Sequence, residues 1–267
     1  MKYIVLFILL ITFELSAMSP QSLDPQLQFQ YTYEGTTLSY VVTQNIYPYK
    51  CGVEKASTEL EGNIIIPETV NYDGNEFEVG SIEHSAFHNC IYLTSVTMPN
   101  TITYICWEAF FQSWNLKSVV LSEALTNIQR YAFYDCWGLE TISIPQSIKV
   151  IEEGAFQNCR NLTKIFYNCE QPITADETVF NDYSTPVLYV PKSALDRFHN
   201  TMPWKLFHNI EAYDFAGLDE VMADAITNNS IEVFNLNGMK VSDNTNSLPQ
   251  GIYIMRQGNI TKKILIK

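Results

Sequence analysis

The chain is 267 residues long, 46% hydrophobic and only 17% charged, enough apolar material for a packed core, which excludes global disorder. Its 16 Lys and Arg stand against 29 Asp and Glu, a net charge of −13, so a polyanionic partner such as nucleic acid or an anionic membrane surface would be repelled.

The first stretch, MKYIVLFILLITFELSA, places Lys2 before an apolar run from Tyr3 to Phe13 and ends on the small residues Ser16 and Ala17. This is the pattern of a secretory signal peptide over residues 1–17. Its apolar run is too short to span a bilayer, and it puts the working compartment outside the cytoplasm, secreted or at the cell surface. Over residues 18–58, QFQYTYEGTTLSYVVTQN alternates in polarity around Glu34 and Gly35 and predicts a β-hairpin that covers the open edge of the next segment.

Residues 59–191 form a repeat. Ala86-Phe87, Ala109-Phe110, Ala132-Phe133 and Ala155-Phe156 return every 23 residues, and each is followed in the same frame by L-x-x-V/I-x-Φ, where Φ is apolar: Leu93, Val96, Met98, then Leu116, Val119, Leu121, and so on to Leu162, Ile165, Tyr167. Pro99, Pro145 and Pro191 fall on the same grid, with Ser122 and Asn168 at the intervening places. NIIIP, ending at Pro67, supplies an earlier strand. The surplus before the next repeat, VNYDGNEFEV, alternates around Asp73 and Gly74, a hairpin signal. A period of this kind is the signature of a leucine-rich solenoid, mainly β, of about six repeats, each covering its neighbour's apolar face. Phe87, Phe110, Phe133 and Phe156 are expected to stack inside it.

Over 192–213 a helical C-terminal cap is predicted, with Ser193 as helix N-cap for ALDRFHN and Trp204, Leu206, Phe207 and Ile210 as the closing apolar face. From 214 to 267 a linker leads into a small all-β tail, in which IEVFNLNGMKV alternates around Asn237 and Gly238 and GIYIMRQGNITKKILIK supplies further strands.

The pattern A-F-x-x-C-x-x-L-x-x-V-x-I-P-x-x-[IV]-x-x-I is similar to the BspA-like leucine-rich repeats of secreted and surface proteins of Bacteroidales-type bacteria and some protozoan parasites. The likeness spans about residues 28–213, with Ser113 and Ser122 standing where Cys and Pro are usual. It implies a binding protein, with adhesion to a host, matrix or neighbouring-cell protein as the family's association. The endings V-F-N-L-N-G-x-x-V, L-P-x-G-I-Y-I and K-K-I-L-I-K resemble the C-terminal part of type IX secretion sorting domains. A sorting signal and a small accessory β-element are the two readings of the tail.

The polar residues carry little sign of chemistry. Cys90, Cys136 and Cys159 stand four places after each repeat's Ala, in one interior column. Free buried thiols are the default there, and adjacent turns about 5 Å apart also permit a Cys136–Cys159 bridge. Cys51, Cys106 and Cys169 lie off the column. His84 and His88 have metal-face spacing only if helical, and Phe111, Tyr134 and Gln157 occupy the position of His88 in later repeats, the mark of a variable surface site. Glu152 and Glu153 are adjacent, so they point apart rather than across a cleft. No catalytic, cofactor-binding or metal site is assigned, and the chain is not read as an enzyme. The remaining candidate is the outward strand face: Asn63, Ser95, Ser118, Thr141 and Lys164 in one row, and Ile65, Thr97, Val120, Ser143 and Phe166 in the next, with Tyr189 beyond. Its expected partner is a protein. The alternative is a glycan stacked on Phe166 or Tyr189. Tyr47, Tyr49, Tyr92 and Tyr104 compete as contact residues.

Overall fold

A computed structural model describes residues 23–24, 26–213, 215, 231–234, 240–242, 251–257 and 260–266; among side chains of the last four segments it describes Val233, Val241 and Tyr253. The expected signal peptide over 1–17, and the turn at Asn237 and Gly238, lie outside the described residues.

The first strands of the described residues form an antiparallel hairpin, β1 (Gln28–Tyr33) and β2 (Thr36–Gln44), closed by Glu34 and Gly35 at φ 48° and 81°. Both central residues have positive φ, which matches the right-handed twist of the strands they join. Next come β3 (Tyr49–Val53) and β4 (Gly62–Ile65), then a second hairpin, β5 (Thr69–Tyr72) and β6 (Asn75–Ile82), turning at Asp73 and Gly74 with φ 49° and 76°. From there short strands alternate between two sheets, β7 (Leu93–Thr97), β8 (Tyr104–Ile105), β9 (Ser118–Val120), β10 (Asn127–Ile128), β11 (Thr141–Ile144), β12 (Val150–Ile151) and β13 (Lys164–Tyr167), after which β14 (Val187–Pro191) joins the same sheet as β13.

One sheet runs β1-β2-β3-β6-β8-β10-β12, parallel along this path from β3 onward, with β5 antiparallel on β6. The N-terminal hairpin therefore extends a solenoid sheet as well as covering its end. The other sheet is seven-stranded and all parallel, in the order β4-β7-β9-β11-β13-β14-β15. Its last strand, β15 (Asn209–Tyr213), comes from the closing segment, which was expected to be helical. That segment holds only one short helix, α1 (Leu195–Phe198), and its end is extended because Ile210 must reach the core while Asn209 and Glu211 face away. Ser193 is not the helix cap either: it sits in a 3-10 turn over Lys192–Ala194, and its hydroxyl donates to Glu170. Trp204 is fully buried and donates from Nε1 to the Ile173 carbonyl at 2.7 Å, which closes that end of the core.

The Ala-Phe segments form a third ladder. The amide of Phe87 donates to Ala109 O at 2.7 Å, Phe110 to Ala132 O at 2.7 Å, and Phe133 to Ala155 O at 2.8 Å. Two left-handed residues frame each segment: Ser85, Glu108, Tyr131 and Gly154 before it, and Asn89, Gln112, Asp135 and Asn158 after it, with φ between 56° and 65°. These reverse the chain within four residues and aim each amide at the next repeat. The Phe rings then lie parallel: Phe87, Phe110, Phe133, Phe156 and Phe180 stack at centroid spacings of 4.9, 5.0, 5.2 and 5.4 Å. The Ala beside each of the first four is fully buried.

All six cysteines are free, so adjacency of Cys136 and Cys159 does not produce a bridge. Each of these two column thiols donates to a backbone carbonyl of an earlier repeat: Cys136 Sγ to Phe110 O at 3.1 Å and Cys159 Sγ to Phe133 O at 3.2 Å. Ser113 does the same to Phe87 O at 2.7 Å. The column requires a small donor, which Ser satisfies as well as Cys.

After the solenoid, β16 (Ile231–Phe234), β17 (Lys240–Ser242), β18 (Gly251–Gln257) and β19 (Ile260–Ile266) form a four-stranded antiparallel sheet in the order β17-β16-β18-β19. The tail is all-β, as expected, and Val233 and Tyr253 are buried in it. Among the described residues no helix is long and apolar enough to cross a membrane.

Candidate recognition face

The parallel register aligns the two outward rows by position. In the first, Asn63 pairs with Ser95, Ser95 with Ser118, Ser118 with Thr141, and Thr141 with Lys164. In the second, Ile65 pairs with Thr97, Thr97 with Val120, Ser143 with Phe166, and Phe166 with Tyr189. Their inward neighbours Val96, Val119, Ile142 and Ile165 are at most 2% exposed, which holds the rows outward by the strand period.

Exposure along the rows is uneven. Asn63 and Lys164 are exposed, and Ile65, Val120, Thr141, Ser143, Phe166 and Tyr189 are half-buried. Ser95, Thr97 and Ser118 are buried, at 6%, 6% and 2%. Asn63 Oδ1 accepts from Thr94 Oγ1 at 2.9 Å and Ser95 Oγ at 2.8 Å, fixing the polar groups at the first-repeat end.

The other end is aromatic. Phe166 and Tyr189 stack at 4.8 Å with planes 16° apart, and Tyr213 sits edge-on to both, 5.1 Å from Phe166 and 5.8 Å from Tyr189. Phe215 packs edge-on against Tyr213 at 4.8 Å. Tyr213 was missed in the sequence because its segment read as a helical cap; the alternation in NIEAY, with Ile210 inward, was the available signal.

The turn side carries separate ring columns. Trp114 stacks on Trp137 at 5.1 Å, and the Arg160 guanidinium lies 4.7 Å above Trp137. His88, Phe111 and Tyr134 stack at successive spacings of 5.0 Å, so the position that varies in chemistry keeps planar side chains over three repeats. His84 stacks on Trp107 at 4.7 Å. Tyr47, Tyr92 and Tyr104 are exposed, and Tyr49 is half-buried. Glu152 accepts from the Arg130 amide at 2.9 Å, whereas Glu153 pairs with the Arg130 guanidinium at 2.8 Å, so the two carboxylates are tied to separate donors. Among the described residues no three His, Cys, Asp or Glu side chains are placed to hold a metal ion.

Residues 78–198 match the model of the BspA type leucine rich repeat region, in six copies. No curated protein matches the chain. Solved structures similar to it include a leucine rich cell surface protein from Faecalibacterium prausnitzii, 22% identical with a TM-score of 0.44 over 69% of this chain and 40% of that one. A leucine-rich repeat protein from Bacteroides capillosus is 25% identical with a TM-score of 0.45, covering 52% of this chain and 98% of that one. Another from Bacteroides ovatus is 20% identical with a TM-score of 0.39, covering 73% and 56%. The chain spans less than half the length of the first of these.

Proposed function

We propose that the protein is a secreted or cell-surface recognition module that binds a protein ligand through the outward face of its seven-stranded sheet, with adhesion to a host, matrix or neighbouring-cell protein as its role. The observation that carries this reading is the composition of the face: in-register rows of hydroxyl and aliphatic side chains ending in the aromatic cluster of Phe166, Tyr189 and Tyr213. Parallel ladders with aromatic residues at one end suit protein side chains, since aromatics supply large contact area at small entropy cost. The BspA-type repeat region supports the same class of role. No reaction and no cofactor are assigned, and the charge of −13 disfavours nucleic acid.

The second reading is a glycan-binding accessory protein at the outer membrane. It draws on the same rings. Sugar stacking needs an open aromatic face, however, and Phe166 and Tyr189 turn theirs toward each other. The discriminating experiment is a binding screen of the full chain on immobilised matrix proteins and on immobilised polysaccharides, repeated with Phe166→Ala. Retention on a protein that is weakened by the substitution supports the first reading; retention on a polysaccharide that is abolished by it supports the second.

The C-terminal sheet is read as a type IX sorting element, consistent with its four strands and its K-K-I-L-I-K ending. Intact-mass measurement of the surface fraction tests this: loss of roughly the last 50 residues supports sorting with cleavage, and a surface form that keeps them supports the accessory reading.

A further inference from the structure

We infer that β17 docks through Val241 on the first-repeat end of the seven-stranded face, withholding Ser95 and Thr97 from a partner until the C-terminal sheet is displaced. Two observations converge. Val241, itself half-buried, lines a cavity of about 100 Å³ together with Asn63, Ile65, Ser95 and Thr97, and the β1–β2 turn at Tyr33 and Glu34 forms another wall. The exposure along the rows changes where this cavity lies. Thr97 is 6% exposed, whereas Ser143, a smaller side chain two repeats further along the same row, is half-buried. Ser95 and Thr97, which line the cavity opposite Val241, are each 6% exposed, while Asn63 at its rim stays exposed. Among the described side chains only Val241 of the C-terminal sheet lines the cavity, opposite hydroxyls and an amide, and small polar interfaces between units separate readily. The face is thereby divided: Thr141, Ser143, Phe166 and Tyr189 stay open, while the hydroxyl end is held closed by the chain's own tail.

This rests on the reading of the face as the binding surface, but its test involves no ligand, so the two stand or fall separately. The test is maleimide labelling of the full chain carrying Thr97→Cys or Ser143→Cys, with the parent chain as the baseline for the native thiols. Thr97→Cys is expected to label about tenfold or more slowly than Ser143→Cys, because access limits thiol reactivity. Adding Val241→Glu should bring the Thr97→Cys rate up to that of Ser143→Cys and leave Ser143→Cys unchanged; Val241→Ala, which introduces no charge, should move it part of the way. Equal rates at the two positions with the native Val241, or a Thr97→Cys rate that neither Val241 variant changes, overturn the proposal.

Discussion

The thiol of Cys136 donates to the carbonyl of Phe110 at 3.1 Å, and the same carbonyl accepts the amide of Ser113 at 3.1 Å. The pair ties one repeat's interior column to the aromatic stack of the repeat before it. The same link recurs between Cys159 and Phe133 and, through a hydroxyl, between Ser113 and Phe87. The column needs a small side chain with one proton to give.

Cys136→Ser should therefore leave stability within about 1 kcal/mol of the parent, while Cys136→Val, which adds bulk and removes the donor, should cost about 1–3 kcal/mol. Chemical denaturation of the two variants checks this. A Val variant as stable as the Ser variant would show that the donor is irrelevant.

Burial raises the Cys90 thiol to about 11, and burial together with the charge of Glu83 raises Cys51 and Cys106 to about 12, from an ordinary 9.0. Burial also holds Cys136 well above that ordinary value. Because these folded-state values lie above the unfolded ones, the stability they contribute is intact below pH 9 and is lost as pH rises through 11 to 12. The denaturation midpoint is expected to fall steadily above about pH 9. At neutral pH the buried thiols should resist alkylation until the chain unfolds.

Phe133 lies between Phe110 at 5.0 Å and Phe156 at 5.2 Å, so its truncation opens a cavity in the middle of the stack. Phe133→Ala should cost about 3–5 kcal/mol. Trp114→Ala, at a ring 38% exposed, should cost clearly less, and thermal melts of the two compare them directly.

Gly154 occupies the left-handed position held elsewhere by Ser85, Glu108 and Tyr131, and a Cβ there would collide with the Tyr131 ring. Gly154→Ala should destabilise by about 1–3 kcal/mol, and part of that loss should return in the double variant with Tyr131→Ala. Conversely, Gln112→Gly, at φ 58°, should gain up to about 1 kcal/mol by removing a side chain from strained backbone. Denaturation of the single and double variants measures each effect.

The period made the strands, the Phe stack and the interior Cys column legible, because all three depend on residues recurring in one frame. The left-handed pairs were also written in the sequence, as Asn89, Asp135 and Asn158 at one place and Gly154 at another, but Gln112 and Glu108 blur a signal that rests on residue type. Ser113 looked like a lapse from the pattern; only its bond to Phe87 O shows that it obeys it. Periodicity told which side of the sheet Ser95, Thr97 and Ser118 occupy, yet not that they are buried, since a two-residue period fixes direction and not exposure. The closing strand Asn209–Tyr213 escaped because five alternating residues are too few to outweigh the apolar cluster before them.

The most direct measurement is hydroxyl-radical footprinting of the full chain, alone and bound to the protein ligand retained in the screen. The account predicts protection of Phe166, Tyr189 and Tyr213 on binding, with Trp114 and Trp137 on the turn side labelled as before. Protection of Trp114 and Trp137, with Phe166 and Tyr189 unchanged, would contradict it.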